Sequence, residues 1–126
     1  MDNPKDLYYS ENHEWVRVEE TRAYVGITDH AQKELGDIVY VELPETETGI
    51  EKGEEVLSIE SVKAASPVYA PVSGSIVEVN DELEDSPDLL NEDAFENHIF
   101  VVEMGNMVEL ESLMSVEEYN DFLQEA

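Results

Sequence analysis

Short β-branched and apolar runs follow one another closely through the middle of the chain, each closed by a turn. Val56-Leu57-Ser58-Ile59 comes after the turn Lys52-Gly53-Glu54. Pro67-Val68-Tyr69-Ala70 opens on proline, which a strand tolerates at its first position because a missing ladder donor costs little there. Ser73-Gly74 then turns the chain into Ile76-Val77-Glu78-Val79. Many short strands at this spacing predict a sandwich or a flattened barrel.

The flanks extend the pattern. His13-Glu14-Trp15-Val16-Arg17-Val18 alternates as a half-buried strand does, and Ala23-Tyr24-Val25-Gly26-Ile27 follows. The polar link Glu19 to Arg22 makes the two a hairpin. Thr28 or Asp29 caps a short helix through Ala31 and Leu35 that stops at Gly36. Asp37 to Leu43 reads as a third strand, ended by Pro44. Asp81 to Asp93 is acidic and loop-like, with a brief helical turn opened by Ser86-Pro87. Ile99 to Met104 reads as a buried last strand. Two helical pieces make up the tail. In the second, Ser115 and Glu118 have capping-box spacing, and Tyr119, Phe122 and Leu123 share a face.

Composition narrows the chemistry. The 126 residues suit one domain, and 41% of them are apolar, enough for a core. The chain carries 32 acidic and 6 basic side chains, a formal charge of −26. Such a surface repels nucleic acid and anionic lipid, so neither is expected as a partner. With no cysteine there is no disulfide, thiolate nucleophile or thiolate metal site. The acidic segment Asp81 to Asp93 lacks the glycine and ligand spacing of a calcium loop, so no metal is expected. Met1 to Ser10 lacks the pattern of a signal peptide, and no apolar run is long enough to span a bilayer. A cytoplasmic location is the expectation.

One lysine stands out among so few basic residues. Lys63 lies in Glu60-Ser61-Val62-Lys63-Ala64, between two predicted strands, which puts it at a hairpin tip. Small neighbours, Ser61, Ala64, Ala65 and Ser66, leave room for an approaching enzyme, and a primary amine there suits amide formation. Spacing alone would leave it an ordinary solvated lysine.

The surrounding text changes that. Lys52-Gly53-Glu54-Glu55-Val56, Glu60 to Ala64, and Tyr69-Ala70-Pro71-Val72-Ser73-Gly74 together resemble the lipoyl and biotinyl carrier pattern. Val62 before the lysine resembles the glycine cleavage H proteins rather than other lipoyl domains or biotin carriers. His13-Glu14-Trp15-Val16, Val25 to Gln32, Leu35-Gly36-Asp37, Val41-Glu42-Leu43-Pro44, Val77-Glu78-Val79-Asn80, Leu83 to Pro87 and Asn91-Glu92-Asp93 are similar to that family too. The resemblance runs from about Tyr9 to Tyr119.

The resemblance implies a mainly β fold: a flattened hybrid barrel or sandwich of two antiparallel sheets, of the biotinyl/lipoyl-carrier type. Short peripheral helices and a C-terminal helix accompany it, in a single domain over 1–126 with a helical segment from about 109. It implies a non-catalytic, monomeric carrier with lipoate joined to Lys63 within the motif Glu60, Ser61, Val62 and Ala64. The aminomethyl group of glycine would pass from the P-protein (glycine dehydrogenase) to the T-protein (aminomethyltransferase). The L-protein (dihydrolipoyl dehydrogenase) would reoxidise the arm. A lipoate ligase or a lipoyl/octanoyl transferase would attach it. Glu14 and His30 match positions that line a cleft for the loaded arm.

Two departures stand against this pattern. The family commonly has aspartate four residues after the lysine, where this chain has Pro67, which accepts no side-chain hydrogen bond. After Asn91-Glu92-Asp93 the family usually continues Pro-Tyr-Gly-x-Gly-Trp, whereas this chain reads Ala94-Phe95-Glu96-Asn97-His98. Its loop should take another shape. These departures keep open an alternative, an H-like carrier serving lipoate relay or acting as a redox handle for another lipoyl-dependent enzyme. An acid/base hydrolase or an acidic binding module without a prosthetic group are the more distant readings.

Overall fold

The structure is a computed structural model and describes residues 3–125. Among these the strands form two antiparallel sheets. β1 (Tyr8–Tyr9), β2 (Glu14–Glu19) and β3 (Arg22–Ile27) begin the larger one, and helix α1 (Asp29–Leu35) follows. β4 (Ile38–Val41) and β5 (Gly49–Ile50) lead to the hairpin β6 (Glu55–Ser61) and β7 (Ala65–Tyr69), and then to β8 (Gly74–Val79). Two short helices, α2 (Glu82–Asp85) and α3 (Leu89–Glu92), precede β9 (Phe100–Met104). A 3-10 segment (Met107–Ser112) and α4 (Val116–Glu125) complete the order.

The six-stranded sheet runs β1-β2-β3-β9-β8-β5 and the three-stranded sheet runs β4-β6-β7. The expected pair of antiparallel sheets is therefore present, as a sandwich and not as a closed barrel. Their facing sides enclose a core of Val16, Val25, Leu57, Ile59, Ile76, Phe100 and Val102, all buried. Each fully buried aliphatic or phenyl side chain there stabilises the fold by roughly 1.5–3 kcal/mol. The outer side of the large sheet holds a second cluster of Leu7, Tyr9, Trp15, Val116 and Tyr119. Tyr9 and Tyr119 stack at 4.6 Å, which docks α4 over the start of the chain. The capping box predicted for α4 is formed: Ser115 N–H donates to Glu118 Oε1 at 2.9 Å, and Glu118 N–H donates to Ser115 Oγ at 3.2 Å.

Trp15 shows how one residue depends on its cross-strand partner. Its side chain lies over Gly26, its register partner on β3. A Cβ at Gly26 would stand 2.6 Å from the indole, so only glycine admits the ring here. The indole Nε1 donates to Ala94 O at 3.0 Å, seating the divergent 94–98 loop on the sheet.

Three expectations need correction. The β7 strand begins at Ala65 and not at Pro67, so the proline stands mid-strand, opposite Ser58. The position is tolerated because β7 is an edge of its sheet, where a missing N–H breaks no inner ladder. Asp81 to Asp93, read as loop-like with one brief helical turn after Ser86-Pro87, holds two short helices, Glu82–Asp85 and Leu89–Glu92, because Leu83 and Leu90 are drawn into the core. The third strand is shorter than predicted, ending at Val41.

Candidate functional site

Lys63 stands at the tip of the β6–β7 hairpin, exposed, between exposed Val62 and Ala64. Ser61 builds the tip. Its N–H donates to Ala64 O at 2.8 Å, and its Oγ accepts from the N–H groups of Lys63 and Ala64, each at 3.2 Å. Val62 is 67% exposed, so its side chain adds nothing to the core. Its N–H, however, donates to Asp37 O at 3.0 Å, tying the tip to the connection between α1 and β4. Glu60 is exposed and lies in register between Tyr40 and Ala65.

The lysine stem lies across Gly36. A Cβ on that residue would come within 2.9 Å of Lys63 Cε. Gly36 also closes α1 with φ +77°, a backbone region that glycine enters without strain. One glycine thus serves the helix end and gives the lysine its resting place.

Beside the tip is a groove of about 460 Å³ between α1 and β7. Ala64, Ala65, Ser66 and Pro67 form the wall nearest the lysine, and Ile27, Leu35, Ile59 and Val68 give it an apolar lining. His13, Glu14, His30 and Glu34 supply its polar groups. The two residues predicted to line a cleft, Glu14 and His30, do meet in it. A smaller cavity of about 270 Å³ also touches Glu14 but includes no tip residue, being bounded by Tyr9, Lys52 and Ser112.

Glu14 is no surface charge. It is 1% exposed, and both carboxylate oxygens have donors: Ser10 Oγ at 2.5 Å and Tyr69 N–H at 3.1 Å. Burial raises its pKa above the usual carboxylate range, with those two hydrogen bonds working in the opposite sense. His30 sits in the first turn of α1, half-buried, with Nε2 3.7 Å from Glu34. Its ring centroid lies 4.5 Å from that of His13. His13 shares a 2.8 Å hydrogen bond with the Tyr119 hydroxyl, which also meets Thr28 Oγ1 at 2.8 Å. Burial, and then the neighbouring His30, lower the pKa of His13, while burial pushes the Tyr119 phenol up to about 12.

Sequence reasoning missed His13, Ser10, Gly36 and Tyr119 as parts of this region. His13 has φ +65° and so leaves the strand alternation, which is why no periodicity places its ring beside His30. Tyr119 is more than a hundred residues away in the chain. Gly36 was legible as a helix stop but not as a seat for the lysine.

Two antiparallel sheets that raise one lysine on a hairpin tip beside a lined groove define the biotinyl- and lipoyl-carrier class of fold. Comparison with known proteins narrows the class. The family model for the glycine cleavage H-protein matches residues 7–126. The chain is 53% identical over 124 residues to the glycine cleavage system H protein of Syntrophomonas wolfei subsp. wolfei, covering 98% of this chain and 95% of that one. It is 56% identical over 118 residues to the counterpart from Alkaliphilus oremlandii, covering 94% and 93%. The crystal structure of a glycine cleavage system H protein from Mycobacterium marinum superposes with a TM-score of 0.89 at 32% identity, over 97% of this chain and 99% of that one. The chain belongs to the glycine cleavage H-protein family.

Proposed function

We propose that this chain is the lipoyl carrier of a glycine cleavage system, with Lys63 as the attachment site. The observation that carries the reading is the exposed amine on a braced tip next to a groove. The residues fit the group. The small side chains around Lys63 leave its Nζ open to an acylating enzyme, and amide formation there removes the charge. The apolar walls of the groove suit an alkyl arm, and its His13, Glu14, His30 and Glu34 suit a polar or cationic end. Bound lipoyl would supply the redox-active sulfur that the chain itself lacks, able to take up and release the aminomethyl group of glycine.

Within that function Glu14 holds the floor of the groove by joining β2 to β7 through Tyr69 N–H. Because its oxygens already accept two hydrogen bonds, it offers a cation only its remaining lone pairs. Pro67 adds surface but no side-chain acceptor. The chain would act as a monomeric, non-catalytic carrier unit in the cytoplasm. Its partners would be the P-, T- and L-proteins and a lipoate ligase or lipoyl/octanoyl transferase. Tethering gives the attached group a high effective concentration near each partner in turn. The shared naming of the relatives for glycine cleavage favours this over lipoate relay.

Co-expression with a lipoate ligase and intact-mass measurement test the attachment. One lipoyl adduct is expected on the chain and none on Lys63→Ala. A chain left bare by a ligase that modifies a control lipoyl domain, or an adduct persisting on Lys63→Ala, overturns the assignment. Incubating the lipoylated chain with glycine and a P-protein should then add the aminomethyl group; absence of that product argues against the glycine cleavage role.

A further inference from the structure

Asn91 belongs to the Asn91-Glu92-Asp93 motif, lies on α3, and touches neither Lys63 nor the groove. Its side-chain amide nevertheless grips the segment on which the lysine rests. Nδ2 donates to Gly36 O at 2.8 Å and to Gln32 Oε1 at 2.9 Å, while Oδ1 accepts from Ile38 N–H at 2.9 Å. The two backbone bonds fall on either side of Asp37. The carbonyl of Asp37 accepts from Val62 N–H, next to the lysine, and Gly36 lies under the Lys63 stem. A continuous path therefore leads from the Asn91 amide through residues 36–38 to the hairpin tip. Asp37 is itself exposed, and the hydrogen bonds that hold the segment on the side away from the tip come from Asn91 on α3 and from Gln32 on α1.

We infer that Asn91 is a positioning residue for the acylation of Lys63: it fixes the 36–38 ledge and, through Val62, the geometry in which the tip is offered to the acylating enzyme. The inference rests on the assignment of Lys63 as the attachment site. A side chain with a fixed fork of donors and acceptor is required, because two carbonyl-type acceptors and one N–H must be met from one point. Aspartate has the same shape and could still accept from Ile38 N–H. It would lose both donations and place a carboxylate against Gly36 O and Gln32 Oε1. Loosening a reacting group by a fraction of an ångström lowers rate without changing the chemistry.

The test compares Asn91→Ala and Asn91→Asp with Asn80→Ala. Asn80 makes a similar set of loop bonds, to His98 O and from Glu82 N–H, but away from the tip. Purified unlipoylated chains are acylated by lipoate ligase well below their melting temperatures, and hydrogen exchange is followed at Val62 N–H. Both Asn91 variants should lose acylation kcat/KM on the order of tenfold and should exchange faster at Val62. Asn80→Ala should do neither, even if its melting temperature falls as far. Wild-type acylation rates in the Asn91 variants, unchanged exchange at Val62, or an equal loss in Asn80→Ala overturn the inference. A wild-type chain that is never acylated overturns the Lys63 assignment instead, so the two failures are distinct.

Discussion

Replacing Glu14 separates its structural bonds from its charge. In Glu14→Ala the Tyr69 N–H and the Ser10 hydroxyl lose their shared acceptor. An unsatisfied buried donor costs about 1–3 kcal/mol. With one of the two donors taken as rehydrated in the variant and the other left unsatisfied, a net loss of about 2 kcal/mol is expected. For a chain of 126 residues the unfolding entropy is about 0.26 kcal/mol/K, so the melting temperature should drop by ~8 °C. Glu14→Gln keeps an acceptor for Tyr69 and can donate to Ser10, so its loss should be under ~1 kcal/mol. The charge shows in the pH dependence. Glu14 has a raised pKa in the folded state, so above the ordinary value of 4.5 the folded chain holds more protons than the unfolded one. Its contribution is complete below 4.5 and is lost as pH rises through the folded value. Wild type should therefore lose stability relative to Glu14→Gln as pH rises from about 4.5. The assay is thermal denaturation by circular dichroism from pH 4.5 to 8 in 0.3 M salt. A Glu14→Ala chain melting within 2 °C of wild type, or a wild-type advantage over Glu14→Gln that grows with pH, refutes this account.

Other perturbations follow from the same geometry. Gly26→Ala sets a methyl group against the Trp15 indole and should lower stability by about 1–3 kcal/mol, read as an upward shift in urea sensitivity. His13 has a lowered folded pKa, so its contribution is present above 6.5 and lost as pH falls through the folded value. His13→Asn, which tolerates the left-handed backbone, should remove that acid-side loss in melts between pH 5 and 7. Ser115→Ala breaks the α4 capping box and should cost about 1 kcal/mol, measured by chemical denaturation. Raising salt from 20 to 500 mM should raise the melting temperature, because it screens a net charge of −26; a fall would show that local ion pairs dominate.

The β elements were legible because each carries its own period or turn. The Thr28 cap and the Gly36 stop were legible for a similar reason, since a helix end needs a side-chain acceptor before it and a left-handed residue after it. Pro67 was misplaced because sequence does not reveal that β7 is an edge, where proline is harmless. In Asp81 to Asp93 only the turn after Ser86-Pro87 was legible and the rest was read as loop-like, because its charge hides Leu83 and Leu90, whose burial depends on a core assembled from distant strands. At the site, Lys63 could be picked out by the text around it, and Glu14 and His30 by resemblance. The burial of Glu14 could not, since it depends on Tyr69 and Ser10 arriving from two other segments. The His13–His30–Tyr119 grouping is likewise assembled by tertiary packing alone.

The position of β9 has a consequence for biosynthesis. This last strand in the sequence is an inner strand of the larger sheet, between β3 and β8. While Phe100–Met104 is still inside the ribosome, β3 and β8 each lack a neighbour, and neither half of the sheet can close over its apolar side. Folding must wait for nearly the whole polypeptide to emerge, and it then requires pairings across most of the sequence, which slows it.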